Sequence, residues 1–456
     1  MKRCVRVASG QGFWGDLLEA PKWQLERGPI DYLMLDYLAE VTMSILQKQK
    51  ARDPTQGYAR DFVELMEAIW PQVVERGVRV LANAGGVNPQ ACAEAVLAAA
   101  RRRGLAGVAK VAVVTGDDLL PRLRSLVDAG HPLANLDTGE PLTAVIDRVE
   151  SANAYLGARP LVEALQSGAH VVVVGRSTDT ALTYAPLVFE FGWRWDEYDK
   201  LAAGVVAGHI NECGAQATGG NCLAHWRRVP DLTEVGFPII EATPDGGFVV
   251  TKHPGTGGWV TRASVAEQLV YEMGDPRRYV TPDVVADFSA LELDEEGPDR
   301  VRVRGARGAP PPDTLKVSVA YRAGFKAVGT LVYTWPEAIA KAQEADRILR
   351  ARLARLGLVF EEFRTEFVGW NACHGALAGP PPDLPEVTVR WAVRSADRAA
   401  VERFTREIAP LVLAGPPSVT GFAGGRPKVQ DVVAYWPALV PRSEVEPYVR
   451  VDVHTA

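Results

Sequence analysis

His209, Glu212 and Cys213 stand at offsets of three and four within the stretch Ala202 to Asn221. On a helix that spacing puts an imidazole, a carboxylate and a thiol on one face. Side by side, such groups can move protons, attack an electrophile or ligate a metal. Glu212 and His209 are the expected acid and base, and Cys213 is the candidate nucleophile, because a neighbouring imidazole stabilises a thiolate. Gln216 follows on the same stretch, and Gly219-Gly220-Asn221 lets the backbone approach a ligand closely. The order His-Ile-Asn-Glu-Cys is not HExxH and no other His or Asp pair completes a ligand set, so no metal is expected.

Such groups need a frame to hold them. The first part of the chain alternates short β-rich runs with amphipathic helical segments, the pattern of a parallel sheet covered by helices on both faces. Strands are expected at Val5 to Ser9, Asp31 to Leu38, Val78 to Leu81, Lys110 to Val114 and Val171 to Val174. Gly, Asn, Asp or Thr stand at their carboxyl ends, the edge where open parallel sheets bind ligands. Candidate ligand-binding residues there are Gly10, Gly12 and Asp16 after the first strand, Asn83 after the third and Asp117 after the fourth. Asp179, in Gly175-Arg176-Ser177-Thr178-Asp179, is a further candidate catalytic carboxylate. Asn153 joins the ligand-binding set from Ser151 to Gly157, which reads as a polar turn.

Gly10-x-Gly12-x-x-Gly15, with Asp31 or Asp36 about twenty residues on, satisfies the dinucleotide fingerprint. An NAD(P)-dependent oxidoreductase is therefore one alternative. Against it, Phe13 and Trp14 are bulky where a pyrophosphate must lie, and Asp16 puts negative charge at the turn.

Pro238 to Pro254 reads as a hairpin turning at Pro244-Asp245-Gly246-Gly247. The loop after it carries Lys252 and Gly257 to a helix entrance and is a candidate anion loop. Gly421, Gly424 and Gly425, before Arg426 and Lys428, form a second one. Val301 to Arg304 and Leu315 to Val319 alternate as antiparallel strands do. Beyond Trp335 a long helix, two strands, a second helix and a last strand suggest an α+β lobe of ferredoxin-like type. The expected fold is α/β, a large mostly parallel sheet flanked by helices plus that smaller lobe, divided at residues 1–335 and 336–456.

A chain of 456 residues with 47% hydrophobic and 23% charged content is globular and too long for one ordinary core. Its apolar runs are too short to span a bilayer, and Met1 to Gly12 lacks the apolar segment of a signal peptide. Five cysteines, odd in number and without CxxC pairs, point to a reducing cytoplasm. A net charge of −6 without a basic tract speaks against nucleic acid and anionic membranes as partners. The expected partners are a small acidic or CoA-linked substrate and further copies of the chain; the cofactor stays open.

The motifs GQGFWGD, ANAGG, TGDDL, SANAYLGA, GRSTDTALTYAPLVFEFGW, AGHINECGAQATGGN, TPDVVADFS and PDTLKVS occur in that order. Together they resemble the acyclic terpene utilisation AtuA family over nearly the whole chain, most specifically at ECGAQATGG. Where family members commonly have Asn-Ser-Leu-His-Gly, this chain reads Asn371-Ala372-Cys373-His374-Gly375. The resemblance implies a pathway that degrades citronellol- or geraniol-like compounds as CoA thioesters, or related branched acids. It carries over Gly12, Asp16, Asn83, Asp117, Asn153, Asp179, His209, Glu212, Cys213, Gln216 and Asn221 as motif positions and assigns them no roles. The reading is thus a catabolic enzyme of branched or isoprenoid acyl compounds using acid–base chemistry. Its rivals are the oxidoreductase above and a non-catalytic binding or assembly subunit.

Overall fold

The computed structural model describes residues 3–421 and 425–456, so Gly424 of the second glycine loop lies outside the described residues. The chain opens with β1 (Val5–Gln11), α1 (Ala20–Glu26), β2 (Tyr32–Leu35), α2 (Glu40–Arg52), α3 (Arg60–Arg76), β3 (Arg79–Ala82), α4 (Pro89–Arg102) and β4 (Lys110–Thr115). Then come α5 (Leu123–Asp128), β5 (Val149–Ala154), α6 (Arg159–Gln166), β6 (Val171–Val174), α7 (Ala181–Phe191) and α8 (Tyr198–Glu212). A β-rich run follows: β7 (Ile239–Ala242), β8 (Phe248–Thr251), α9 (Arg262–Val270), β9 (Tyr279–Val280), β10 (Val285–Asp287), β11 (Glu292–Gly297), β12 (Arg300–Arg304), β13 (Arg307–Ala309) and β14 (Thr314–Thr334). The chain closes with α10 (Ala338–Arg355), β15 (Glu362–Val368), β16 (Glu386–Ser395), α11 (Arg398–Glu407), α12 (Leu411–Ala414), β17 (Val419–Thr420), β18 (Gln430–Pro441) and β19 (Arg450–Thr455).

Strands β1, β2, β3, β6 and β4 lie side by side in that order, and each pairing is parallel. All four valines of β6 are buried, as a strand covered on both faces requires. Val171 and Val173 share a core cluster with Phe62, Met66 and Trp70 of α3 and with Cys92 and Val96 of α4. Helices α7 and α8 pack on each other and on β1. Pro89 in the first turn of α4 and left-handed Gly77 after α3 mark the helix ends as their conformations favour.

The ten-stranded sheet as a whole is mixed and mostly antiparallel, which corrects the mostly parallel sheet read from the sequence. Outside β1, strands β7, β8, β12 and β11 follow in turn, and β19 pairs with β4, all antiparallel. The β–α alternation reveals only strands joined by crossover helices. A hairpin such as β7–β8 needs only the turn Pro244–Gly247, and nothing local says which sheet edge it will join. A second correction concerns Ser151 to Ala154, which is strand and not turn. Its small residues let β5 lie close to β14, so that the Tyr155 N–H donates to the Lys316 carbonyl at 2.9 Å.

The chain divides into two compact units, residues 1–320 with 435–456, and residues 321–434. The first contains the ten-stranded sheet. In the second, β15, β16, β14 and β17 form an antiparallel sheet in that order, with β18 also pairing β14. Its core gathers Leu349 of α10, Trp391 of β16 and Phe404 of α11. Along this unit the chain runs from the end of β14 through α10, β15, β16, α11, the short α12 and β17 into the start of β18. No described helix is long and apolar enough to cross a membrane.

Candidate functional site

Helix α8 is buried from Leu201 onward, so its polar residues near the C-terminus are carried inside the fold. His209 Nδ1 lies 2.9 Å from Glu212 Oε1, one helical turn on. An ionised carboxylate can only accept, so the imidazole N–H donates. His209 is 2% exposed and Glu212 8%. The imidazole meets Tyr279 and Phe288 edge-on, with ring centroids 5.4 and 5.7 Å away. Its other nitrogen, Nε2, and the second carboxylate oxygen, Glu212 Oε2, have no hydrogen-bond partner among the described residues.

Burial pushes the Glu212 carboxyl above the usual range, more than His209 pulls it down, and Asp179 adds to the rise. Burial alone would lower His209, but Glu212 outweighs it and holds the imidazole above its ordinary value. Both groups are thus biased towards keeping a proton. Cys213 caps the helix and is half-buried. Burial, and then the Glu212 charge, push its thiol strongly upward, the opposite of what a thiolate nucleophile needs.

The carboxyl ends of β1, β2, β3, β6 and β4 supply the surrounding groups. Gly12, just past β1, touches the end of α8. A Cβ there would sit 2.9 Å from the Cys213 carbonyl carbon and 3.0 Å from the Gly214 nitrogen. Asp16 accepts the Gly12 N–H at 2.9 Å and the Leu17 N–H at 2.8 Å, so it holds the turn together. Gly10 is packed against Leu33 and Leu35 of β2. The dinucleotide fingerprint therefore presents no free helix N-terminus: α1 begins only at Ala20, and the Gly12 donor is taken.

After β2 comes Asp36, buried, its Oδ1 accepting the Asn83 side-chain N–H at 2.7 Å. Asn83 in turn accepts the Tyr37 N–H at 2.7 Å. Burial and the Asp179 charge raise Asp36 well above the carboxylate range, with Glu212 adding to this. After β6, Arg176 is 1% exposed and donates from Nη1 to the Leu38 carbonyl at 2.6 Å and to Asp179 at 2.8 Å. Its guanidinium lies 4.3 Å from the centroid of the Tyr155 ring. Asp179 keeps 35% of its side chain open; burial raises it despite the arginine. Burial opposes ionisation of Glu40 too, but Arg176, the Tyr155 hydroxyl and Lys316 together hold it below the usual range. After β4, Asp117 accepts from Asn153 at 2.9 Å and from the Arg176 backbone N–H at 2.8 Å.

Farther along, Gln216 donates to Gln268 at 2.8 Å and accepts from Asn221 at 3.2 Å. Gln268 itself donates to the His209 carbonyl at 2.8 Å, so Gln216 supports the pair from behind. Asn221 is exposed, in left-handed backbone. Lys252 and Gly257 stay within their own loop. Lys252 Nζ donates to the Thr256 carbonyl at 2.9 Å and pairs with Asp299 at 3.0 Å. A Cβ on Gly257 would lie 1.8 Å from the Asp231 carbonyl oxygen, so that backbone is already occupied by its neighbour. Arg176, Glu40, Tyr155, Tyr279 and Gln268 carry no site role in the sequence, and Asp36 enters there only as an acid of the dinucleotide fingerprint. Asp36 and Arg176 follow strands as Asn83 and Asp179 do, which is the signal that could have found them.

Two expectations follow. Gly12→Ala forces the β1 turn and the end of α8 apart, because the atoms it meets are backbone. It should cost about 1–3 kcal/mol in urea unfolding, and an unchanged midpoint would mean that the two segments are not locked together. Asp117, 3% exposed, has its carboxyl raised from 3.8 to about 6 by burial. An acid raised in the folded state stabilises the fold fully below its unfolded value and loses that contribution as pH climbs. Stability should therefore fall by up to about 3 kcal/mol between about pH 4 and about pH 6 on its account. Both accepted bonds reach Oδ2, so Asp117→Asn can keep them. The variant should be the more stable protein above about pH 6 and lose that part of the pH slope; equal slopes in both proteins would remove Asp117 as the cause.

Fold and site define a mixed α/β protein with a buried imidazole–carboxylate pair and a buried arginine at the carboxyl edge of its parallel strands. The chain belongs to the acyclic terpene utilisation family: the family model described as "Acyclic terpene utilisation family protein AtuA" matches residues 5–451. Membership implies a role in acyclic terpene utilisation. No curated protein and no solved structure matches the chain significantly.

Proposed function

We propose that this chain is a catabolic enzyme that acts by acid–base chemistry on a branched acyclic acid, free or CoA-linked, in the cytoplasm. One observation carries the reading: His209 and Glu212 form a 2.9 Å buried pair, and each keeps one polar atom without a partner among the described residues. Glu212 Oε2 is the atom that takes a proton from substrate or from water. His209 holds Glu212 in place by donating from Nδ1, and the proton taken up at Oε2 passes on to the product, which restores the carboxylate. Burial raises Glu212, which makes its carboxylate a stronger base than one in water, while His209 keeps the proton it donates. Hydration or carbon–carbon cleavage fits this machinery. Cys213, held as a thiol, packs the helix end and has no covalent role in this scheme. The strand and helix order of residues 321–434 is read here as a ferredoxin-like lobe.

The test is turnover of acyclic isoprenoid acids and their CoA thioesters, followed by mass spectrometry, in wild type and His209→Gln. Product formation by the wild type that falls at least tenfold in the variant supports the reading. No product from any of these compounds, or equal turnover in both proteins, refutes it.

A further inference from the structure

The acid–base pair accounts for the end of α8 and leaves the turn between β6 and α7 unexplained. Arg176 is 1% exposed, yet its Nε–H has no partner among the described residues. A buried guanidinium donor without an acceptor is costly. Ser177 Oγ, Thr178 Oγ1 and Thr180 Oγ1 in the same turn are buried and equally without a partner among the described residues. Thr180 occupies the N-cap of α7, where a threonine hydroxyl ordinarily accepts an N–H of the first helical turn. Here it makes no such bond. One turn therefore brings a charged N–H and three hydroxyls to the start of an eleven-residue helix, a donor set suited to an anion.

The place of this turn is fixed by Gly208 of α8. A Cβ there would lie 2.6 Å from the Thr180 carbonyl oxygen, so the two helices meet backbone to backbone at that point. Gly208 precedes His209 directly and stands one helical turn before Glu212. The turn thus lies against α8 one helical turn before Glu212, and the charge of Asp179 within the turn reaches the Glu212 carboxyl.

We propose that the turn Arg176 to Thr180 seats the carboxylate of a small, free branched acid beside His209 and Glu212. The proposal rests on the acid–base reading of that site and narrows its substrate from acid or thioester to the free acid. Carboxylates crowd the same edge at Asp36, Glu40, Asp179 and Glu212. Asp179 takes the Arg176 Nη1 at 2.8 Å and leaves Nε–H, so the seat has a donor for one small anion, whereas the several phosphates of CoA meet repulsion and no basic patch. Lys316, 4.9 Å from the Tyr155 ring centroid and 3.7 Å from Glu40, is the second positive charge beside that ring.

Calorimetric titration of the full chain with citronellate, its primary amide and its CoA thioester tests this. Citronellate should bind the wild type at least tenfold more tightly than either derivative. Ser177→Ala and Thr180→Val should each weaken it about tenfold, the worth of one hydrogen bond to a charged group. Ser177→Ala removes a single oxygen and remains the readout if Thr180→Val does not fold. Glu212→Gln should still bind citronellate, which separates the two readings: lost turnover with retained binding upholds this seat, whatever the chemistry. The proposal is overturned if citronellate does not bind the wild type. It is overturned too if the amide, the CoA thioester or inorganic phosphate binds as well, or if the folded variants bind as the wild type does.

Discussion

Glu212→Gln lowers turnover by about 10²- to 10⁴-fold, the usual worth of a positioned general acid or base. The amide keeps the shape of the carboxyl, and its oxygen can still accept from His209 Nδ1, so the end of α8 stays where it is. It cannot take a proton at Oε2. Because burial disfavours the charge on Glu212, removing that charge costs the fold little, and the melting temperature should stay within about 4 °C of the wild type. Turnover against a substrate found by the mass-spectrometric assay, measured beside a melting curve, checks both halves. Full activity in a folded variant would take Glu212 out of the chemistry. A large fall in melting temperature would make it a structural group.

Arg176→Met costs about 3–5 kcal/mol of stability, the range for removing one partner of a buried ion pair. Methionine fills a similar length but abandons the Leu38 carbonyl and Asp179, and it loses the charge over Tyr155. The deficit should depend on pH in a definite direction. Without the arginine, Asp179 is raised further and folds most readily when protonated. The loss is therefore greatest at alkaline pH and shrinks as acid neutralises the carboxyl. Urea unfolding of both proteins across that range measures it, and a deficit that is constant with pH would place the cost elsewhere than at Asp179.

Much of the frame could be read before any coordinates. Val171 to Val174 is a buried strand, as its unbroken valine run requires, and Pro244–Gly247 turns the hairpin its residues encode. Asn83, Asp117 and Asp179 stand just past the carboxyl ends of β3, β4 and β6, the edge at which the sequence places them. What stayed hidden was long-range. Nothing near Arg450 to Thr455 says that they pair with β4, and nothing near Glu292 to Arg304 says that they extend the far side of the same sheet. Small residues concealed β5, since Ser151 to Ala154 carry the composition of a turn and the burial of a strand. Arg176 was hidden for a different reason. Arginine is ordinarily a surface residue, and only the closure of Tyr155, Leu38 and Asp179 around it makes it a buried one. Lys252 shows the converse, a glycine-rich loop with a lysine whose charge Asp299 already satisfies.

The pairing of His209 with Glu212 is tested most directly by a nitrogen-15 NMR titration of the histidine rings, with His209 assigned by its absence in His209→Gln. Among the seven histidines, its imidazole should lose its proton above the ordinary value of 6.5, and Glu212→Gln should bring that titration down. A ring that titrates like a solvent histidine and does not respond to Glu212→Gln would contradict the account.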